Sequence, residues 1–223
     1  ADVERVEVLK GPQGTLFGRN ATGGLLHAIT KTPTQDLTLD ASVGFGNYDT
    51  TTASLYVAGG LRDNVAGSIA LYANQQGDGW GTNFYRGNPV NRSREGGGRA
   101  KLVADFTDLT RATLSVDYSH IESDFGGSLQ AVPGATLIGG VRLIGTIYDA
   151  NTAIGDPFLG GGDTVGAALR IEHELSDRVS LSSLTAWRYY DIPNTVDTDG
   201  GPAVIADVML AEKTTTLQQE FLM

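Results

Sequence analysis

The sequence predicts an all-β fold, an antiparallel meander of about eight strands that follows a short glycine-rich segment. Along eight segments apolar and polar residues alternate with a period of two, and clusters of turn-forming residues separate these segments. Composition agrees, because 30 glycines and abundant Thr and Ser favour strands and turns over helices. The fold class is therefore all-β.

The chain opens as strand, loop and strand. Residues 3–9 are rich in valine, and this strand must end at Pro12, because proline fixes φ and lacks an N–H. Residues 25–30 form a second apolar run that Pro33 closes. Between the two strands, glycine recurs at Gly11, Gly14, Gly18, Gly23 and Gly24. These glycines predict a backbone that folds tightly on itself.

Eight alternating segments follow, each with one apolar face and one face that carries polar or charged residues. In the sixth segment, for example, Val165, Ala167 and Leu169 oppose Arg170 and Glu172. The predicted strands are 37–45, 51–58, 65–74, 99–106, 112–119, 165–175, 179–190 and 213–223. Aromatic residues that would suit a membrane-interface girdle lie near the predicted strand ends: Tyr48, Trp80, Tyr118, Trp187 and Tyr189.

The connections alternate between short and long. After the first hairpin, short turns at 60–64, 107–110 and 176–178 alternate with long loops at 75–91, 123–163 and 193–211. An antiparallel meander places alternate connections on opposite rims, and outer-membrane barrels separate short periplasmic turns from long extracellular loops in this way. The sequence therefore predicts the wall of a transmembrane β-barrel. A soluble β-sandwich binding module and a passive porin-like or autotransporter barrel remain alternatives.

Residues 3–33 read VERVEVLKGPQGTLFGRNATGGLLHAITKTP. This stretch resembles the C-terminal end of the plug domain of TonB-dependent outer-membrane receptors, whose pattern is (I/V)ER(I/V)EVL(R/K)GPQGTLFGRNATGG, a hydrophobic strand and TKxP. The family usually has an Ala-Ile-Asn-Ile type run where this chain has residues 25–29, and Lys10 stands where arginine is common. The matching plug-motif positions include Arg5, Gly11, Pro12, Gly14, Phe17, Gly18, Arg19, Gly23 and Gly24.

The resemblance implies two parts, the end of a plug domain at residues 1–35 and the N-terminal part of a barrel at 36–223. It also implies active uptake across the outer membrane of a Gram-negative bacterium. The implied partners are outer-membrane lipid, TonB with its inner-membrane energising complex, and a small-molecule substrate. Family substrates include ferric siderophores, cobalamin and glycans, and we expect a ferric siderophore. Because the family's coupling box is missing from the sequence and family barrels have about 22 strands, we interpret the chain as a fragment. Its eight or so strands are then expected to form an arc of a transmembrane β-barrel.

Two sets of site residues are predicted. In the resembled family, plug arginines pair with glutamates of the inner barrel wall, which implies Arg5 and Arg19 on one side. The wall candidates are Glu172, Glu174 and Glu220, all on polar faces of predicted strands. The alternative, that these charges are simply solvated in the lumen, stays open. Ligand contacts are predicted for a long loop that carries Trp80, Phe84 and Tyr85.

No motif predicts an enzyme, a cofactor or a metal. A formal net charge of −10 argues against a nucleic-acid partner, and zero cysteines exclude disulfides and thiolate metal sites. His27, His120 and His173 lie on separate segments without ligand spacing. The run Asp197-Thr198-Asp199-Gly200 begins like a calcium loop, but the glycine comes too early and no spaced glutamate follows. We interpret this run as an acidic surface turn.

Overall fold

The computed structural model describes residues 2–14, 22–124, 134–136, 140, 142–154, 160–203 and 205–223. These residues form twelve strands, and each of the predicted strands is among them. The bounds are β1 Val3–Lys10, β2 Gly24–Thr30, β3 Thr38–Gly46, β4 Thr50–Arg62, β5 Val65–Gln76, β6 Gly81–Asn83, β7 Asn88–Val90, β8 Ser93–Thr107, β9 Thr110–Ser123, β10 Gly160–Ser176, β11 Val179–Asp197 and β12 Asp207–Leu222.

Eight of these strands form one antiparallel sheet, which we call the wall. Its strands follow one another in sequence order, β3-β4-β5-β8-β9-β10-β11-β12, and the small β6–β7 hairpin lies in the connection between β5 and β8. The predicted meander is confirmed. The described residues do not form the two packed sheets of a sandwich, because all eight long strands belong to a single sheet.

Several wall strands extend further toward the long-loop rim than predicted. Strand β8 begins at Ser93 instead of residue 99, and β10 begins at Gly160 instead of residue 165. Both extensions contain glycine triplets, of which 160–162 were predicted to lie in a loop and 96–98 just before a strand. Neighbouring strands override that local preference, because they supply hydrogen-bond partners for the backbone of the triplets. On the same rim, β11 continues to Asp197 and β12 begins at Asp207.

The two faces of the wall have opposite chemistry. Cross-strand pairing aligns apolar residues from all eight strands into one continuous row, which defines the apolar face. The row runs through Leu39, Val57, Ile69, Ala100, Val116, Ala167, Trp187 and Leu217. Many large apolar side chains on this face are exposed, Leu39 and Leu217 among them. Within the described residues, no helix is long and apolar enough to cross a membrane.

Residues 2–34 precede the wall, and we call them the opening segment. Its strands β1 and β2 pair antiparallel, and the N–H of Gly11 donates a hydrogen bond to the carbonyl of Gly23 over 3.2 Å. Gly24 has a φ of +135°, and a Cβ there would lie 2.4 Å from the carbonyl oxygen of Leu9. Only glycine fits this close approach of the two strands. The ends of this hairpin contact the other face of the wall, the polar face, through Asp2, Thr30 and Lys31.

Candidate functional site

One row of residues on the polar face includes Asp40, Tyr56 and Arg99, which contact the opening segment, and we call it the docking row. It lies one residue along each strand from the apolar row, so its side chains point to the opposite side. The docking row runs through Asp40, Tyr56, Ala70, Arg99, Asp117, Gly166, Arg188 and Thr216. Cross-strand register, and not proximity in sequence, brings these residues together.

Lys31 of the opening segment contacts the first part of the docking row. Its Nζ donates a hydrogen bond to Oδ2 of Asp40 over 2.7 Å and lies 4.7 Å from the ring centroid of Tyr56. The Tyr56 ring is 2% exposed, so the ammonium group packs over a desolvated aromatic face. The hydrogen bond to Asp40 raises the pKa of Lys31 above its usual value. Lys31 is therefore charged at neutral pH and binds two wall residues at once.

Two wall cations contact the opening segment near the centre of the docking row. Nη1 of Arg99 pairs with Oδ2 of Asp2 over 2.9 Å. On the same strand, Nζ of Lys101 donates to Oγ1 of Thr30 over 2.7 Å and to the backbone carbonyl of Lys31 over 2.8 Å. The wall thus holds both ends of the β1–β2 hairpin, through a charge at its start and through backbone and hydroxyl oxygens at its end.

Asp117 links two arginines in the docking row. Its Oδ1 lies 3.3 Å from Nη2 of Arg188 and 4.0 Å from Nε of Arg99. Gly166 lies between Asp117 and Arg188 in register, and a Cβ there would come within 2.9 Å of the guanidinium and 3.0 Å of the carboxylate. The missing side chain therefore leaves room for this ion pair. A cavity of about 510 Å³ adjoins the network and separates β2 from the later wall strands.

The structure places the predicted salt-bridge residues differently. Arg5 donates to Glu7 over 2.8 Å and to Glu4 over 3.0 Å, both on its own strand. It is not brought together with the predicted wall carboxylates, and Glu172 lies 3.8 Å from Arg170 on its own strand. The other two, Glu174 and Glu220, lie on β10 and β12. Arg19 falls outside the described residues, together with Phe17 and Gly18.

The docking contacts thus have both polarities, whereas the prediction paired only cations of the opening segment with carboxylates of the wall. The opening segment contributes an aspartate to a wall arginine and a lysine to a wall aspartate. Sequence alternation already placed Asp40, Arg99, Lys101 and Asp117 on polar faces. It could not show that they share neighbouring positions, because register between strands that are distant in sequence is not a local property.

A second assembly lies at the long-loop rim, where the β6–β7 hairpin binds residues 142–154. The link is Asn83, which is 1% exposed. Its Nδ2 donates to the carbonyl of Thr152 over 2.9 Å, while its Oδ1 accepts from the backbone N–H of Tyr85 over 3.1 Å. Backbone hydrogen bonds from Phe84 to Ala150 and from Ala150 to Thr82 extend the pairing. We call this unit the loop platform.

Asp149 strengthens the loop platform. Its two carboxylate oxygens accept hydrogen bonds from the backbone N–H of Thr82 over 2.8 Å and of Thr146 over 2.7 Å. Although burial acts in the opposite direction, these hydrogen bonds lower the pKa of Asp149 below its usual value. The platform is thus held by an ionised carboxylate at neutral pH.

The predicted ligand-contact residues lie on or beside the loop platform. Phe84 and Tyr85 occupy the turn of the β6–β7 hairpin and are 45% and 58% exposed. Trp80 precedes the hairpin and makes an edge-to-face contact with Tyr48, with ring centroids 6.4 Å apart. Tyr148, across the platform, is also exposed. Several exposed aromatic side chains therefore lie together at this rim.

Comparisons with known proteins agree with this architecture, although no family model matches the chain. The catecholate siderophore receptor Fiu of Escherichia coli strain K12 is 28% identical over 194 residues, which cover 83% of this chain and 24% of Fiu. The vitamin B12 transporter BtuB of Vibrio vulnificus is 30% identical over 81 residues, 36% of this chain and 13% of BtuB. The matched regions thus span about a quarter of the length of Fiu and 13% of the length of BtuB.

Solved structures show the same fold over nearly the whole chain. The ferric yersiniabactin uptake receptor FyuA of Yersinia pestis superimposes with a TM-score of 0.80 at 21% identity, and the match covers 99% of this chain and 33% of FyuA. The pyoverdine outer-membrane receptor FpvA of Pseudomonas aeruginosa PAO1 gives a TM-score of 0.67 at 18% identity, over 99% of this chain and 31% of FpvA. These relatives are transport receptors. Sequence and fold together confirm the resemblance of this chain to the TonB-dependent outer-membrane receptors.

Proposed function

We propose that this chain is part of an outer-membrane receptor of a Gram-negative bacterium that takes up a ferric siderophore by TonB-dependent active transport. In this proposal, residues 1–35 are the end of the plug domain and residues 36–223 are the N-terminal part of the barrel. Outer-membrane lipid covers the apolar face. TonB and its inner-membrane energising complex act on the plug. The protein is a transporter and not an enzyme.

The docking row is the observation that carries the proposal. A passive porin needs an open lumen, whereas here charged residues of the polar face bind a separate glycine-rich segment. The contacts are ion pairs and hydrogen bonds with partial solvent exposure, for which about 0–1 kcal/mol each is typical. Such contacts hold a plug in place at rest and yield to a pull that is delivered from outside the barrel. A passive barrel has no use for them.

The siderophore assignment is supported by the relatives and by the loop platform. Relatives and structural neighbours include receptors named for catecholate siderophores, ferric yersiniabactin and pyoverdine. The exposed aromatic side chains Trp80, Phe84 and Tyr85 suit a ligand that is itself aromatic, such as an iron complex with catechol groups, because ring stacking is favourable at low entropic cost. Asn83 positions this surface without exposure to solvent.

The decisive experiment is an uptake assay with the full-length receptor. It is expressed in an iron-limited strain that lacks its own catecholate receptors, and cells are supplied with iron-55 bound to a catecholate siderophore. We expect uptake that requires TonB and that falls when Phe84 and Tyr85 are both replaced by alanine. A matched variant, Leu109→Ala, changes an exposed apolar residue in a short turn at the opposite rim and should transport normally.

Each alternative has its own outcome. Uptake that persists without TonB would indicate a passive barrel and would contradict the proposal. Labelled cobalamin taken up in place of the iron complex would keep the transport class and refute the siderophore. Loss of uptake in the Asn83→Ala variant, with wild-type amounts of receptor in the outer membrane, would support the role of the loop platform.

A further inference from the structure

The tip of the β11–β12 hairpin brings three aspartates together. Asp197 ends β11 and pairs in register with Asp207, which begins β12, and Asp199 lies in the connection between them. One carboxylate oxygen from each residue lies within 4.8 Å of the other two. Three negative charges at this separation repel one another unless a proton or a cation lies among them.

Asp197 is the residue that the surface-turn interpretation does not explain. Its side chain is 1% exposed, so that interpretation is wrong for this residue. Oδ1 accepts hydrogen bonds from the backbone N–H of Asp199 over 3.0 Å and of Gly200 over 2.8 Å. Oδ2 is buried as well and has no hydrogen-bond partner within the described part of the chain. Burial of a carboxylate oxygen without a partner is costly, which points to a ligand at this position.

Backbone N–H groups hold the second carboxylate in a fixed orientation. Oδ1 of Asp199 accepts from Gly201 over 3.0 Å, and Oδ2 accepts from Ile205 and Ala206 over 3.1 Å each. Each carboxylate oxygen has more than one lone pair, so Oδ1 of Asp199 can still coordinate a metal ion. The third carboxylate, Asp207, is exposed. The cluster thus combines two positioned carboxylates with one that is open to exchange with solvent.

We propose that this hairpin tip binds a divalent cation of the hard, oxygen-preferring class, with Ca²⁺ as the ion that fits best. Asp197, Asp199 and Asp207 supply carboxylate ligands, and backbone carbonyls and water complete the shell. The ligand set contains oxygen only, which favours Ca²⁺ over zinc or copper, since those ions prefer nitrogen and sulfur ligands. Ca²⁺ also tolerates the irregular geometry of a hairpin better than Mg²⁺, which requires a near-ideal octahedron.

Bound calcium would fix the ends of β11 and β12 to each other. The site shares no residue with the docking row or the loop platform. It uses three residues that lie within eleven positions of the sequence, so one ion closes one hairpin. Its role is therefore to order the tip of this connection at the long-loop rim, independently of the substrate that the receptor transports.

Isothermal titration calorimetry with CaCl₂ tests the proposal on the full-length receptor in detergent, after treatment with a chelator. We expect a saturable site in the wild type whose dissociation constant rises by about tenfold or more in Asp197→Asn. Asparagine keeps an oxygen to accept the hydrogen bonds from Asp199 and Gly200, so the hairpin should still fold. Asp207→Asn is a second variant at an exposed position, and it should weaken binding in the same direction.

Asp177→Asn is the matched control, because Asp177 lies in the short turn that begins β11 at the opposite rim. It should leave the isotherm unchanged. The proposal is overturned if the wild type releases no binding heat with CaCl₂, or if Asp197→Asn and Asp207→Asn bind Ca²⁺ as the wild type does. If the Asp197→Asn variant does not reach the outer membrane, calcium binding by the Asp207→Asn variant alone tests the proposal. Iron uptake is measured separately, so a result that refutes the calcium site does not refute the proposed transport function, and the reverse also holds.

Discussion

The apolar row and the docking row are adjacent on every wall strand and have opposite chemistry. Val116 and Asp117 are neighbours in sequence, yet one lies in a row that is apolar across eight strands and the other links two arginines. The apolar row needs only hydrophobicity at each position. The docking row needs particular charges in register. We therefore expect the apolar row to accept exchanges among apolar residues, and the docking row to be specific for the segment that it contacts.

The largest expected effect comes from a charge on the apolar face. Ala167→Arg places a guanidinium in the apolar row, and we expect a loss of about 2–4 kcal/mol of folding free energy in lipid. Ala168→Arg, one residue along, points to the polar face beside the cavity and should be tolerated. Urea unfolding in lipid vesicles measures the folding free energy of both variants. Equal destabilisation by the two variants would contradict the assignment of the faces.

The next largest effect is expected when a side chain is added between two members of the docking row. Gly166→Val places methyl groups where a Cβ alone would lie 2.9 Å from the Arg188 guanidinium, and overpacking of this kind costs about 1–3 kcal/mol. Gly96→Val is the control on the apolar face, where the nearest atom to a Cβ is 3.5 Å away. Thermal unfolding of the two variants should separate them. If both have the wild-type midpoint, Gly166 has no role in the ion pair.

A smaller effect is expected when the charge of the docking row changes but its shape does not. Asp117→Asn removes the carboxylate between Arg99 and Arg188, which leaves two like charges without their shared partner. We expect the opening segment to be released more easily by about 1 kcal/mol. Because the chain has no cysteine, Gln13→Cys accepts a single fluorophore that reports release in urea. Asp105→Asn, in an exposed pair with Arg111 at the short-turn rim, should not change the release midpoint.

The smallest effect is a pH dependence that only the docking row should show. The hydrogen bond to Asp40 raises the pKa of Lys31 above its ordinary value, so the contribution of Lys31 is fully present below the unfolded pKa. It is lost as the pH rises through the folded value. The contribution of Lys31 to the urea midpoint for release should therefore be lost in strongly alkaline solution. The Lys31→Met variant should lack this alkaline step, and a step of unchanged size in it would refute the role of Lys31.

Much of the wall could be predicted because alternation is local. Each segment of period two became a strand, and the alternation of short and long connections identified the two rims. Strand ends were predicted less well. Trp187 was expected near a strand end as part of an aromatic girdle, yet it lies well inside β11, because that strand continues to Asp197. Partner strands stabilise such extensions, and a single segment does not reveal its partners.

The site residues also differ in how far the sequence alone could predict them. Sequence alone indicates that the chain alternates between an apolar and a polar face, that its connections differ in length by rim, and that its opening motif resembles the end of a plug domain. Tertiary structure alone decided which charges meet: Asp2 with Arg99, Lys31 with Asp40, and Arg5 with carboxylates of its own strand. It also decided that Asp197 is buried. The physical reason is that periodicity is encoded residue by residue, whereas register and burial depend on strands that the chain brings together over long separations.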